Sequence, residues 1–397
     1  MKALSTLLFS MVLFNSCSLI KLIKHKNKEV LIASNTFSHF DIKKDKIYLN
    51  TLFPDNKHRN MALDLGAGTT ILLQNNGLNF IDSLQVVTSF GKILSADNQK
   101  QKADYFSIGA IKTDAFSLTN AVLPLLPDFQ TLTCEKVVGV WGADAFEKKI
   151  LILRMEDSTI AVFDTLPSLK DWTLVESAYK FPHFYVILKV GTQKIKLLFD
   201  TGSSSGIVMS KDLFDEKIYE QAELIEDYQK WYGQAFNTAS GITAFDTTIS
   251  AVITHSYWGN FPVDSIPITI SNKIKRSVIG MDVLKRFNIL LDYSDNKIYI
   301  QKNPNFILAS KPGYLRSLGF KYRIVDGAKV TIAIIRANSF AEKAGLKIYD
   351  EIISINGLRV DSLDICEIDE LFKNLDRDST NNEIMLKRGD EILKFIL

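Results

Sequence analysis

Two segments of this chain carry the same signal. Residues 61–72 read as an apolar run, then Asp64-Leu65-Gly66, then small residues, then a second apolar run. Residues 197–208 repeat this around Asp200-Thr201-Gly202, 136 positions later. Farther on, Trp141-Gly142-Ala143-Asp144 matches Ile279-Gly280-Met281-Asp282 at a spacing of 138. The match continues without gaps: residues 150–153 fall against 288–291, and Asp157-Ser158-Thr159-Ile160 against Asp295-Asn296-Lys297-Ile298. Two blocks at nearly one spacing define an internal duplication, so the chain is expected to fold as two similar halves.

Each half reads as β-rich. Residues 184–190 and 194–199 are apolar or alternating runs around Gly191-Thr192-Gln193, a hairpin signal. Residues 47–53 and 60–63 flank Pro54-Asp55-Asn56 at the corresponding place in the first half. The second half carries an added polar stretch, residues 212–228, with helical character. Asp144 and Asp282 recur after their glycines and read as structural, as N-terminal caps of short helices.

An Asp on a tight turn between two apolar strands holds its carboxyl at the mouth of a hydrophobic sheet. The glycine that follows lets the backbone turn sharply and turn its amides outward. Thr201 and Ser203 hydrogen-bond locally and fix the turn. Two such loops facing across a pseudo-twofold axis bring two carboxyls together. Like charges about 3 Å apart do not both ionise cheaply, so one proton is shared; the aspartic-protease pair is the standard example of this principle. The ionised member takes a proton from water and the protonated member donates to a carbonyl oxygen. From sequence, neither role belongs to Asp64 or Asp200 alone.

Phe199-Asp200-Thr201-Gly202-Ser203-Ser204 resembles the active-site motif of pepsin-like and retroviral-type aspartic peptidases. Val278-Ile279-Gly280, 80 residues beyond Asp200, resembles the apolar-apolar-Gly strand beneath that loop. The resemblance covers residues 35–302. It implies a mainly β protein of two tandem retropepsin-like lobes, at residues 35–165 and 166–302. It also implies polypeptide substrates, Asp64 and Asp200 as the catalytic pair, and Gly66, Thr201, Gly202 and Ser203 as loop supports. Flap candidates are Phe90-Gly91 and Ser240-Gly241. The first loop departs from the family at Leu65, where a hydroxyl residue helps tie the two loops together, and at Ala67. That leaves open a second reading, a catalytically inactive peptide-binding lipoprotein with a degenerate protease fold. If Asp64 is inert, the second lobe could pair with itself in a homodimer; otherwise a monomer is expected.

The N-terminus is set apart from both halves. Residues 1–17 have a basic start at Lys2, a short apolar core at 7–14 and a small polar end before Cys17. That is a secretory-signal pattern too short to span a membrane. A cysteine directly after a small residue resembles a bacterial lipobox, with Phe14 where Leu is usual. Cys17 is then the lipidation site, residues 18–34 a tether, and the protein exported and lipid-anchored on the periplasmic or cell-surface side of a bacterial membrane.

Residues 303–312 read as a linker. Beyond them stand Ser317-Leu318-Gly319-Phe320, Ala344-Gly345-Leu346, Asp350-Glu351-Ile352 and Asn356-Gly357. Residues 365–375 have helical spacing, and 383–387 and 392–397 read as strands. This arrangement resembles a PDZ domain over residues 313–397. The resemblance implies an extended or C-terminal peptide bound at Ser317, Leu318, Gly319 and Phe320. Ser317 stands where glycine is common. The remaining alternative is a module that docks only on the chain's own halves. Cys366, among apolar neighbours, is expected to be a buried thiol.

With 47 basic and 45 acidic side chains the net charge is +2, which points to no nucleic-acid partner. Three cysteines and five histidines do not cluster, so neither a disulfide framework nor a metal site nor another cofactor is expected.

Overall fold

Continuous apolar runs become strands buried on both faces, and alternating runs become strands buried on one. Residues 287–292 are buried at every position, whereas residues 183–190 are buried at alternate ones. The computed structural model describes residues 29–74, 78, 84–94, 100–127, 136–238, 241–308, 318–325, 329–375 and 382–396, and they form a mainly β protein. Residues 1–28 with Cys17, linker residues 309–312, Ser240 and Ser317 lie outside the described residues.

The first half contains β1 (Val30–Ala33), β2 (Ser38–His39), β3 (Asp41–Lys43), β4 (Lys46–Leu52), β5 (His58–Leu63), β6 (Ile71–Gln74), β7 (Val86–Leu94), β8 (Lys100–Lys112), β9 (Phe116–Pro127), β10 (Gly139–Trp141), β11 (Ile150–Arg154) and β12 (Thr159–Phe163). The second contains β13 (Thr173–Val175), β14 (Ser177–Lys180), β15 (His183–Val190), β16 (Gln193–Phe199), β17 (Ile207–Ser210), α1 (Lys211–Lys217), β18 (Ile225–Gly233), β19 (Asn237–Thr238), β20 (Gly241–Ile242), β21 (Asp246–Ile253), β22 (Ser256–Trp258), β23 (Phe261–Pro262), β24 (Ile266–Ser271), β25 (Val278–Ile279), α2 (Met281–Leu284), β26 (Phe287–Asp292) and β27 (Lys297–Lys302). The C-terminal unit contains β28 (Phe320–Val325), β29 (Lys329–Arg336), α3 (Phe340–Ala344), β30 (Glu351–Ile355), β31 (Leu358–Arg359), α4 (Ile365–Asn374), β32 (Glu383–Arg388) and β33 (Glu391–Ile396).

The duplication is visible in the pairing. In each half a late strand inserts between the two that flank the Asp turn. β10 runs parallel to β5 and antiparallel to β6, and β25 does the same with β16 and β17. The halves meet in a six-stranded sheet, ordered β13-β27-β26-β11-β12-β2 among the described residues. Its centre is the antiparallel β11–β26 pair, with Ile150 opposite Asp292 and Leu153 opposite Ile289. One hydrophobic core runs through both halves, where Tyr293 of the second stacks on Phe146 of the first. That shared packing fixes the halves relative to each other.

Several boundaries differ from the sequence reading. β1, assigned to the tether, pairs with β9 from Val30 opposite Thr119 to Ala33 opposite Phe116 and buries Leu31, so the first half begins before residue 35. The polar stretch at 212–228 is helical only at its start: α1 ends at Lys217, a 3-10 turn spans Tyr219–Leu224, and β18 takes over at Ile225. The aromatic residues Tyr228, Trp231 and Tyr232 suit a strand better than a helix. Asn303 is no linker residue. It is buried, its backbone N–H donates to Arg286 O (2.9 Å), and its side chain donates to Lys285 O (2.9 Å).

The C-terminal unit has its own core around Phe320, Ile332, Ile352, Ile368 and Leu386. Asp364 caps α4 with a reciprocal capping box to Glu367. Asp350 is buried and held by two bonds of 2.7 Å from Arg388. Cys366 is exposed, contrary to expectation, because it lies on the solvent side of α4 while Ile368 faces the core. The unit is joined to the second half by strand addition: β29 pairs with β18, with Trp231 opposite Arg336 and Gly233 opposite Ile334. On its other side Lys44, in the β3–β4 turn, forms an ion pair with Asp369 of α4.

Candidate active site

The Asp64 and Asp200 turns face each other at the junction of the halves. Their cradles are equivalent. Asp64 Oδ1 accepts from Gly66 N–H and Ala67 N–H, both at 2.9 Å. Asp200 Oδ1 accepts from Gly202 N–H at 2.9 Å and Ser203 N–H at 3.2 Å. The backbone N–H of Asp64 donates to Trp141 O (3.0 Å), and that of Asp200 to Ile279 O (3.1 Å). The inserted strands β10 and β25 therefore support each turn from beneath.

The loops interlock through glycine. A Cβ at Gly66 would lie 2.5 Å from Asp200 Oδ1, and one at Gly202 would lie 2.4 Å from Asp64 Oδ2. Each carboxyl thus rests over the opposite loop, and only a residue without a side chain admits it. Gly142 and Gly280 meet a similar limit: a Cβ at Gly280 would fall 2.5 Å from Ser205 O.

Both carboxyls are half-buried and they hydrogen-bond each other. Burial, then the neighbouring Asp64 charge, then the bond to Asp64, hold the Asp200 carboxyl well above the usual carboxylate range. The two amides that donate to it oppose that rise. The arrangement retains one proton between two acids, which is what general acid–base activation of a water needs.

Thr201 ties the loops together. Its hydroxyl is fully buried, accepts from Leu65 N–H (2.9 Å) and donates to Leu63 O (2.8 Å). Leu65 makes no reciprocal hydroxyl bond and is buried in the apolar core instead. The tie is half of a symmetric one, yet the Asp64 turn keeps the same two amide donors as its partner. Thr201→Val is expected to orphan a buried N–H and a buried C=O. The cost is about 2 to 4 kcal/mol, read from urea unfolding, with Thr201→Ser close to wild type.

Asp144 and Asp282 are structural, but not caps. Glycine occupies each N-cap position, with no side-chain cap bond. Asp144 Oδ1 accepts from Thr70 N–H (2.7 Å) and Thr70 Oγ1 (2.9 Å), bracing the strand that leaves the Asp64 turn. Asp282 pairs with Arg286 at 3.0 Å, one helical turn away.

The hairpins that were candidate flaps are β7–β8 and β18–β21, but Phe90 and Gly91 are not at a turn. They lie inside β7, beside register shifts against β8. Gly241 begins β20, which pairs with β19 at the outer end of the β18–β21 hairpin. In the C-terminal unit, Leu318 and Phe320 are core residues. Gly319 is required there, since it has φ +98° and a Cβ would lie 2.1 Å from Ser339 Cβ. Its carbonyl accepts from Arg336 N–H (2.7 Å).

Sequence reading missed two residues, His183 and Lys46. His183 packs over the Asp64 loop, 3.0 Å from a Cβ placed on Gly68, and hydrogen-bonds the Leu65 backbone. Its Nδ1 is buried and has no hydrogen-bond partner among the described residues. Burial, and then Arg276, lower its pKa and favour the neutral ring. Lys46 lies within electrostatic reach of both acids. The signal was the duplication itself: each is the first residue of the strand that precedes an Asp strand, 137 positions apart.

Among the described residues no three His, Cys, Asp or Glu side chains converge to hold a metal ion, and no helix is long and apolar enough to cross a membrane. No protein-family model matches the chain, and no characterised protein matches it significantly.

Proposed function

We propose that the chain is an aspartic endopeptidase that hydrolyses peptide bonds by activating water between Asp64 and Asp200. In this reading the two halves are retropepsin-like lobes of one bilobal enzyme. The C-terminal unit is a PDZ-like module for peptide recognition or regulation, and Cys17 anchors the protein to a membrane by lipid. The substrate is extended polypeptide.

One observation carries the reading: two Asp-x-Gly loops interlock so that each carboxyl is held by two amides and bonded to the other. Leu65 and Ala67 were the grounds for an inactive receptor, and the Ala67 N–H still donates to Asp64 Oδ1. The loss of a hydroxyl at Leu65 leaves the Asp64 cradle matching that of Asp200, so no particular contact favours that alternative.

The test is cleavage of a denatured protein mixture by the wild type, Asp64→Asn and Asp200→Asn. Each variant is expected to lose on the order of 100- to 10,000-fold in rate, the range for removing a positioned acid or base. A pepstatin-type mimic of the tetrahedral species should inhibit the wild type. Cleavage that survives both substitutions, or an inert wild type, overturns the reading.

The fold should survive Asp200→Asn. A carboxyl raised in the native state holds a proton there that the unfolded chain has already released. Stability therefore falls as pH rises from the ordinary carboxylate range through the raised native pKa. Asparagine removes that loss, so the variant is expected to melt higher than wild type at neutral pH.

A further inference from the structure

The two acids are cradled alike, but their basic neighbours differ. In the β4–β5 register Ile47 stands opposite Leu63, and one further step sets Lys46 opposite Asp64. In the β15–β16 register Tyr185 stands opposite Leu198, and two further steps set His183 opposite Asp200. Cross-strand partners point to the same face of a sheet, with Cβ atoms about 5 Å apart. Lys46 and His183 therefore flank the carboxyl pair from opposite halves. His183 is spent on the Leu65 backbone and its ring is held toward the neutral form, first by burial and then by Arg276. Burial lowers the Lys46 pKa, and attraction first to Asp64 and then to Asp200 opposes that fall, so the acids favour the charged amine most from the Asp64 side.

Building on the peptidase reading, we propose that Lys46 is a positioning residue that seats the single negative charge of the pair on Asp64 and leaves the shared proton on Asp200. Asp64 then takes the proton from the attacking water, and Asp200 gives its proton to the carbonyl oxygen of the scissile bond. The oxygen of water bonds to carbon, the carbonyl π pair moves onto its oxygen, and the pair retains one proton throughout. The charged groups around Lys46 are Asp64 and Asp200 on the loops, Lys43 opposite it in the β3–β4 hairpin, and Lys44 beside it. Lys44 is occupied by Asp369, and Asp45 of the same turn by Lys285 (2.8 Å). These pairings leave Lys46 facing the acids.

The test is the pH dependence of kcat/KM for wild type, Lys46→Met and Lys46→Arg. Removing a cation stabilises the protonated pair, so both limbs of the Lys46→Met profile should move to higher pH. The expected shift is about two units for a charge about 6 Å away in an effective dielectric of about 20. Lys46→Arg should restore the wild-type profile. An active Lys46→Met enzyme whose profile overlays the wild type overturns the proposal and leaves the peptidase reading intact. If the wild type cleaves nothing, the peptidase reading fails and the electrostatic claim is judged by thermal melts against pH. The fall in stability linked to the shared proton should then extend to higher pH in Lys46→Met than in wild type. Coincident melting curves overturn it.

Discussion

In the proposed peptidase, a single methyl group at Gly202 is expected to abolish most hydrolysis while leaving both halves folded. The Cβ of Gly202→Ala would sit 2.3 Å from Asp64 Cγ and 2.4 Å from its Oδ2, well inside contact distance. Something must shift, and the shift falls on the carboxyl pair or on the loop that carries it. Displacement of a catalytic group by about 1 Å costs on the order of 100-fold in rate. The same argument applies in mirror image to Gly66→Ala, whose Cβ would lie 2.5 Å from Asp200 Cγ. Local overpacking costs about 1 to 3 kcal/mol, small enough for the shared core to tolerate. Measuring kcat/KM beside a thermal melt separates the two effects. Activity within a few-fold of wild type in both variants would mean that the loops do not interlock as described.

Trp231→Ala is expected to be the most damaging change outside the active site. Trp231 is buried on β18, where the C-terminal unit adds β29 to the edge of the β18–β21 hairpin. Ala333 and Ile334 pack against it, and Lys321 and Arg336 lie 5.4 and 5.7 Å from its ring centroid. The backbone adds bonds from Gln234 N–H to Ala333 O (3.0 Å) and from Ala337 N–H to Lys230 O (2.8 Å), and Arg323 donates to Gln234 O (2.8 Å). Truncating a buried tryptophan costs about 3 to 5 kcal/mol. The C-terminal unit has a separate core, so the loss should fall on its docking rather than on its folding. Calorimetry should resolve one cooperative transition into two, the smaller belonging to the C-terminal unit. A single transition lowered as a whole would instead place Trp231 in a core common to all three parts.

This junction alters what the C-terminal unit means for the rest of the molecule. The strand that receives β29 is also one arm of a long hairpin of the second half. Its outer end carries β19 and β20. The unit is therefore tied to that hairpin directly through paired backbone strands.

Much of the architecture was legible because duplication and strand pattern are local properties of the chain. The spacing between Asp64 and Asp200 located both turns, and the matching glycines at 142 and 280 located the strands beneath them. Alternating and continuous apolar runs marked the strands around both turns and several of the C-terminal unit. Errors fell where a local pattern had more than one tertiary outcome. The stretch at 212–228 has helix-compatible charge spacing, but from Ile225 it enters β18, which pairs with β21 and, beyond the stretch, with β29. Cys366 has apolar neighbours in sequence, but helical geometry turns it to solvent. Gly91 resembles a turn residue, yet it lies inside a strand whose register shifts around it.

By itself, the sequence determined that two Asp-x-Gly turns exist, that strands support them and that glycine follows each acid. Only the tertiary structure decided that each glycine backs onto the opposite carboxyl, that the Thr201 hydroxyl bridges the loops from one side, and that Lys46 and His183 flank the pair. Strand periodicity is written over a few consecutive residues. The meeting of two acids depends instead on a β11–β26 pairing between segments more than 130 residues apart, and no local pattern encodes that distance.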